Sequence, residues 1–260
     1  MRIVLKVGTS TLAYTTGHLN IRLMEKLCRV ISDIKNSGHE VILVSSGAVG
    51  MGMGKLCLDR KPEELALKQA AAAVGQCELM YTYDKMFSEY SHTVAQILLE
   101  AEDIQDETRK ENFISTLEKL MELKVLPIVN ENDTVATKEL TIGDNDTLAA
   151  VVAASAGADL IILLTDIDGL YTADPRVDGN ARLIDRVEEI TPEILSLGGD
   201  AGSKVGTGGM ATKLLAAQIA TEGGCDMVIA NGRDPDVLYD ILDGVSVGTR
   251  FLKKNGSADK

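Results

Sequence analysis

Arg2-Ile3-Val4-Leu5-Lys6-Val7-Gly8-Thr9-Ser10 is an apolar run of strand length closed by a polar turn. Such a run fits a strand buried on both faces, the kind found in parallel sheets covered by helices. Working outward, Leu23, Leu27, Val30, Ile31 and Ile34 recur at three- and four-residue steps between Asn20 and Gly38, so an amphipathic helix follows. Val41 to Val44 repeats the strand signal. The alternation continues with a helix from Pro62 toward Phe87, a strand at 94–98, a helix at 112–123 and a strand at 125–129. A polar segment then feeds an Ala/Val helix at 147–156 and a strand at 160–164. Residues 166–185 carry Asp-Gly and Asp-Pro signals and read as a loop or hairpin excursion before a short helix near Pro192. A glycine-dense loop over 198–209 leads to a helix at 210–222, a strand at 227–230 and a short helix at 235–242. The expected architecture is α/β, an open, mostly parallel sheet sandwiched between helices. One domain is expected over residues 1–252, with 253–260 as a frayed tail.

Composition narrows the function. Asp and Glu outnumber Lys and Arg by 39 to 26, a net charge of -13 that disfavours nucleic acid and anionic membrane surfaces as partners. Aromatics at 3% leave few stacking platforms for single strands. Cys28, Cys57, Cys77 and Cys225 are too scattered for a zinc knuckle or a redox pair; they read as buried thiols, and no protein metal centre is expected. No signal peptide and no membrane-spanning run is visible, so a cytoplasmic location is expected.

In open α/β sheets ligands bind beyond the carboxyl ends of the strands. The polar residues there are Lys6 with Gly8-Thr9-Ser10, Ser45-Ser46-Gly47, Asn130-Glu131-Asn132-Asp133 and Thr165-Asp166. Two loops before helices, Gly143 to Asp146 and Gly206 to Gly209, would bring backbone N–H groups to the same rim. Glycine loops at helix N-termini suit phosphates, because the backbone comes close and the helix end carries partial positive charge. Lys6 and Lys213 could flank a transferred phosphoryl group, whose transition state spreads negative charge over its oxygens. One of Asp144, Asn145 and Asp146 is expected to serve as an N-cap, but three such residues exceed capping needs. Gly50 to Lys55 imitates a P-loop ending, yet Val49 stands where the first Gly belongs and Leu56 where Ser or Thr should be; Met51 and Met53 read as packing residues.

Taken together, VKVGTS (residues 4 to 7 and the turn to 10), SSGAVGMG (45–52), VNENDTVA (129–136), IGDNDTLAA (142–150), LLTDIDGLYTADPR (163–176) and GTGGMATK (206–213) resemble the amino acid kinase family. The TADPR and GTGGMATK segments point to the branch that phosphorylates glutamate rather than aspartate, carbamate or uridylate. The resemblance implies an amino acid kinase-like fold and transfer of a phosphoryl group from ATP, with Mg2+, to the γ-carboxylate of L-glutamate, the first step of proline synthesis. It implies that Lys6 and Lys213 hold the phosphoryl, that Asp146 orients them, and that ATP meets Thr165, Asp166, Thr207, Gly208, Gly209, Met210, Ala211, Thr212 and Lys213. Glutamate would meet Ser46, Asp133 and Asn145, with Asp144 and Asn132 as weaker candidates. Proline as feedback inhibitor and a homo-oligomer are further implications. Many members carry a C-terminal PUA domain, and a short form lacking it is expected here. The alternatives are a sister kinase for another small acid and a non-catalytic nucleotide or amino-acid sensor.

Overall fold

A computed structural model describes residues 1–12, 14, 18–60, 62–135, 144–199 and 209–254. In chain order the elements are β1 (Arg2–Val7), α1 (Thr9–Leu12), α2 (Ile21–Asn36), β2 (Glu40–Ser45), α3 (Ala48–Lys55), α4 (Leu65–Ser88), β3 (Val94–Leu99), α5 (Ala101–Gln105) and α6 (Glu107–Glu122). They continue with β4 (Leu126–Glu131), α7 (Asn145–Ser155), β5 (Leu160–Thr165), β6 (Arg186–Val187), α8 (Pro192–Ser196), α9 (Met210–Glu222), β7 (Asp226–Asn231), α10 (Val237–Leu242) and β8 (Thr249–Phe251).

The strands form one sheet in the order β3-β4-β2-β1-β5-β7-β8-β6, parallel throughout except where β7 meets β8. β1 is central, in register with β2 (Ile3 beside Val41) and with β5 (Ile3 beside Leu160). The chain steps from β1 to β2 on one side and later adds β5 on the other. Such a reversal opens a crevice at the strands' carboxyl ends.

Because side chains alternate along a strand, each buried strand feeds two cores. Ile3, Leu5, Val7, Val41, Leu43, Ile162 and Leu164 pack with Met24 and Leu27 of α2, Leu79 and Tyr83 of α4, and Leu238 and Ile241 of α10. Val4, Ile42, Val44, Ile161 and Leu163 pack on the other face with Leu117 of α6, Leu148 and Val152 of α7, and Leu214 and Ala217 of α9. Lys6 lies two residues beyond Val4, so the same alternation directs it to the face of α7 and α9.

The structure departs from the sequence expectations in several places. Residues 48–55 form a helix, although the stretch holds Gly50, Gly52 and Gly54 and glycine costs about 1 kcal/mol per interior helix position. Tertiary packing supplies the reason: a Cβ on Gly52 would lie 1.8 Å from the Ala71 carbonyl oxygen, and one on Gly75 would lie 1.7 Å from that of Ala48. Thus α3 and α4 touch backbone to backbone, and only glycine fits the contact. The helix placed from Pro62 begins at Leu65, and the one placed at 112 begins five residues earlier, behind an Asp106 side chain that accepts from Arg109 N. The short strands β6 and β8 were not expected. The excursion over 166–185 closes on itself through an antiparallel bridge between Tyr171 and Leu183. Of the four thiols, Cys28 and Cys225 are buried, but Cys57 and Cys77 are exposed, correcting the expectation that all four are interior. Lys253 and Lys254 are not frayed: Lys253 N donates to Asp226 at 3.0 Å, and the Lys254 ammonium pairs with Glu222 at 2.9 Å. The remainder of the expected tail lies outside the described residues.

Candidate active site

A cavity of about 670 Å³ opens at the carboxyl ends of β1, β2, β4 and β5. Lys6, Ser46, Asp133, Asp144, Asn145, Asp146, Thr165, Asp166 and Lys213 all line it. The expected Thr207 and Gly208 lie outside the described residues, and Met210, Ala211 and Thr212 form the first turn of α9, which carries Lys213.

Asp146 is the centre of the arrangement. It stands in the first turn of α7, where the helix end favours a negative charge, and is 1% exposed. One carboxylate oxygen meets Lys6 Nζ at 2.6 Å, and the other accepts from Lys213 Nζ at 3.0 Å. Burial pushes this carboxyl up, but the two ammonium groups outweigh burial and hold it below the usual carboxylate range. Lys213 is itself 5% exposed, so the clasp is almost wholly interior. The site therefore brings two ammonium groups together on one carboxylate at its floor, where they can meet an anionic ligand.

The helices α3 and α7 begin in the lining of this cavity and α9 contributes Lys213 to it, and the three differ in capping. In α7 the Asp144 side chain accepts from Asp146 N and Thr147 N at 3.1 and 3.0 Å, the N-cap role expected for one of the three residues. The N-caps of α3 and α9 are Gly47 and Gly209, which have no side chain to cap with. Gly47 adopts φ 110°, a left-handed conformation that turns the chain sharply from β2 into α3. Ala48, Val49 and Gly50 at the start of α3 line the cavity, presenting N–H groups to an anion.

The opposite wall is polar and acidic. The Asn145 amide nitrogen donates to Ser46 Oγ at 2.7 Å, to Asn130 Oδ1 at 3.0 Å and to the Ser45 carbonyl at 3.3 Å. Burial pushes the Asp133 carboxyl above its usual range, against the opposing pull of Lys68 from α4. Thr165 is buried at the end of β5 and donates to Asp166 Oδ1 at 3.1 Å.

Two expectations about this wall are corrected. Asn132 does not line the cavity: its amide donates to Glu100 at 3.1 Å and its oxygen accepts from Thr134 at 2.6 Å, so it serves the loop. Met53 lines the cavity instead of the core, whereas Met51 does pack against the core. Lys68 was missed, because a lysine within a long helix carries no local signal of the direction it faces. Gln76, beneath the wall, was missed for the same reason.

Residues 1–231 match the model of the amino acid kinase family. A protein of Clostridium perfringens named glutamate 5-kinase is 53% identical over 98% of this chain and 96% of its own length. A glutamate 5-kinase of Caldanaerobacter subterraneus is 53% identical over 97% of this chain and 68% of its own. Among solved structures, a carbamate kinase from Giardia lamblia bound to AMP-PNP shares the fold with a TM-score of 0.70 at 16% identity, over 97% of this chain and 98% of that one. With its parallel sheet, its clasp of two lysines on Asp146 and a match covering most of its length, this chain belongs to the amino acid kinase family.

Proposed function

We propose that the chain transfers the γ-phosphoryl group of ATP to the side-chain carboxylate of L-glutamate, yielding glutamyl 5-phosphate and ADP. The observation that carries this reading is the convergence of Lys6 and Lys213 on the two oxygens of Asp146 in a cavity walled by Asp133, Asn145 and Ser46. The sequence similarity to proteins named glutamate 5-kinase supports the choice of acceptor.

The chemistry needs no general base. A carboxyl group of ordinary pKa about 4.3 is ionised at neutral pH, so its oxygen attacks the γ-phosphorus directly. The new O–P bond forms as the bond to the β,γ-bridging oxygen breaks, ADP departs with the electron pair, and no proton moves. The barrier is repulsion between anions, which Lys6, Lys213 and the uncapped N-termini of α3 and α9 offset as charge builds on the transferred oxygens. Asp146 keeps both ammonium groups aimed at that point. Asp133 offers a carboxylate for the acceptor's ammonium group, with Ser46 and Asn145 giving directional hydrogen bonds. Thr165, Asp166 and the first turn of α9 would hold the nucleotide, with Thr207 and Gly208 ahead of that turn.

Mg2+ fits this site as a companion of the nucleotide. Among the described residues no three His, Cys, Asp or Glu side chains form a cluster that could hold a metal ion, but Asp144 Oδ2, buried in the cavity wall, has no hydrogen-bond partner there. One carboxylate oxygen joined by phosphate oxygens and water is a donor set this ion commonly takes. Held by Asp144, it would neutralise charge on the phosphates.

Trapping with hydroxylamine tests the reading: glutamate and ATP should give a hydroxamate together with ADP. Turnover confined to aspartate, carbamate or uridylate would assign a sister reaction, and binding without turnover would assign a sensor. Feedback inhibition by proline, self-association and a cytosolic location complete the proposal; no described helix is long and apolar enough to cross a membrane.

A further inference from the structure

Four carboxamides run in a chain from β3 to the acceptor wall. Gln76 Nε2, from α4, donates to Gln96 Oε1 of β3 at 3.1 Å. Gln76 Oε1 accepts from Asn130 Nδ2 at the end of β4 at 2.9 Å, and Asn130 Oδ1 accepts from Asn145 Nδ2 at 3.0 Å. Gln76 and Asn130 are buried, 8% and 2% exposed.

The polarity of this chain is set by backbone groups that cannot reverse. Glu131 N donates to Asn130 Oδ1 at 2.9 Å, and a backbone N–H can only donate, so that atom is the oxygen. Asn130 therefore presents its nitrogen to Gln76. At the far end the Ser45 carbonyl can only accept, so the Asn145 atom beside it is the nitrogen. That nitrogen is committed to Ser46, Asn130 and Ser45. The remaining atom, Asn145 Oδ1, takes no hydrogen bond among the described residues and belongs to a side chain lining the cavity.

We propose that Gln76 is a positioning residue that selects the acceptor: by fixing Asn130, it holds the Asn145 carboxamide with its oxygen offered to the ligand. An oxygen in that place favours an acceptor bearing a hydrogen-bond donor, such as an ammonium group, and disfavours a dicarboxylate of the same length without one. The inference rests on the acceptor proposed above. Gln76 itself lies behind the cavity wall and touches no ligand. Its removal leaves the Asn130 nitrogen buried and unpaired, and Asn130 then relaxes toward another partner.

The test compares glutamate with glutarate, which has the two carboxylates but no amine. In Gln76→Leu the KM for glutamate should rise about tenfold while the KM for ATP stays within about twofold, and the preference for glutamate over glutarate should fall about tenfold, since a site built around a hydrogen bond owes its discrimination to that bond. Gln76→Glu, which still accepts from Asn130 while the exposed Gln96 turns its amide round, should restore most of the preference. Gln96→Leu, an exposed change that leaves the fold intact, should move the preference the same way by about threefold. The Asn145 side-chain amide NMR signals should shift in Gln76→Leu and return in Gln76→Glu. A Gln76→Leu protein that loses activity on both acceptors equally, or whose ATP and glutamate KM rise together, would overturn the proposal in favour of simple packing. If the wild type does not phosphorylate glutamate, the acceptor reading fails by itself; the Asn145 signals then decide the amide chain, and no shift in Gln76→Leu overturns it.

Discussion

Replacing Asp146 by Asn isolates the central electrostatic device. The side chains have nearly the same shape, so packing is kept while the negative charge between Lys6 and Lys213 disappears. Removing one partner of a buried ion pair costs about 3–5 kcal/mol, because the remaining charge is left without compensation. Two features set the expectation at the low end, about 3 kcal/mol: Asn retains an oxygen that one lysine can still donate to, and the Lys6 side chain keeps 11% exposure. For a chain of this size, 1 kcal/mol moves the midpoint by about 2–4 °C, so Tm at pH 7.5 should fall by about 6–12 °C. The dependence on pH has a definite sign. The Asp146 carboxyl titrates below its unfolded value, so its stabilisation is complete above about pH 4 and is lost as pH falls through the lower, folded value. The gap between wild type and variant should therefore be widest at neutral pH and close in strong acid. Scanning calorimetry across that range, with ADP release in parallel, reads both consequences; kcat should drop at least about a hundredfold once the lysines are no longer aimed. An Asp146→Asn protein with wild-type Tm and turnover would refute the reasoning.

Other expectations follow from the same geometry. Lys213→Ala should lower kcat at least about a hundredfold in the hydroxamate assay, and an equal rate would reduce Lys213 to a structural residue. Gly75→Ala drives a methyl into the Ala48 carbonyl and should cost about 3 kcal/mol, visible as a lower urea midpoint, together with a raised KM for the acceptor because α3 carries the cavity wall. Because burial raises the Asp133 carboxyl while the two lysines lower Asp146, Asp133 should protonate before Asp146 as pH falls. The KM for glutamate should thus climb on acidification while the Asp146 clasp is still ionised, and in Asp133→Asn that pH dependence should vanish. A thiol reagent should label Cys57 and Cys77 in the native protein; Cys225, its thiol pushed up to about 12 by burial, and Cys28 should react only after unfolding.

Much of this was legible because strands and their polar ends announce themselves locally. The run from Ile3 to Val7 identified a buried strand, and Lys6 drew attention as the polar residue near its carboxyl end. Lys213 stood out about one turn into a helix behind a glycine-rich loop, whereas Asp146 was one of three cap-type residues ahead of a helix and its role came from the family resemblance. What escaped depended on contacts between elements remote in sequence. Nothing near Gly52 says that Ala71 will lie against it, so α3 went unassigned. Lys68 and Gln76 sit in a helix whose apolar and small residues surround it on most sides, leaving no single face that marks the site. Asn132 was grouped with Asp133 by adjacency, yet the turn after β4 directs it to Glu100 instead.

The position of β1 also bears on how the chain is made. The first strand to leave the ribosome is flanked on one side by β2, 38 residues later in register, but on the other by β5, where Leu160 pairs with Ile3. One hydrogen-bonding edge of this buried strand therefore stays open until the chain has been synthesised past Leu160. Unpaired edges of this kind are where nascent chains associate wrongly. Truncated or stalled products ending before residue 160 should accordingly be sticky, chaperone-bound species rather than small folded kinases, even though the lysine of the first strand is already present in them.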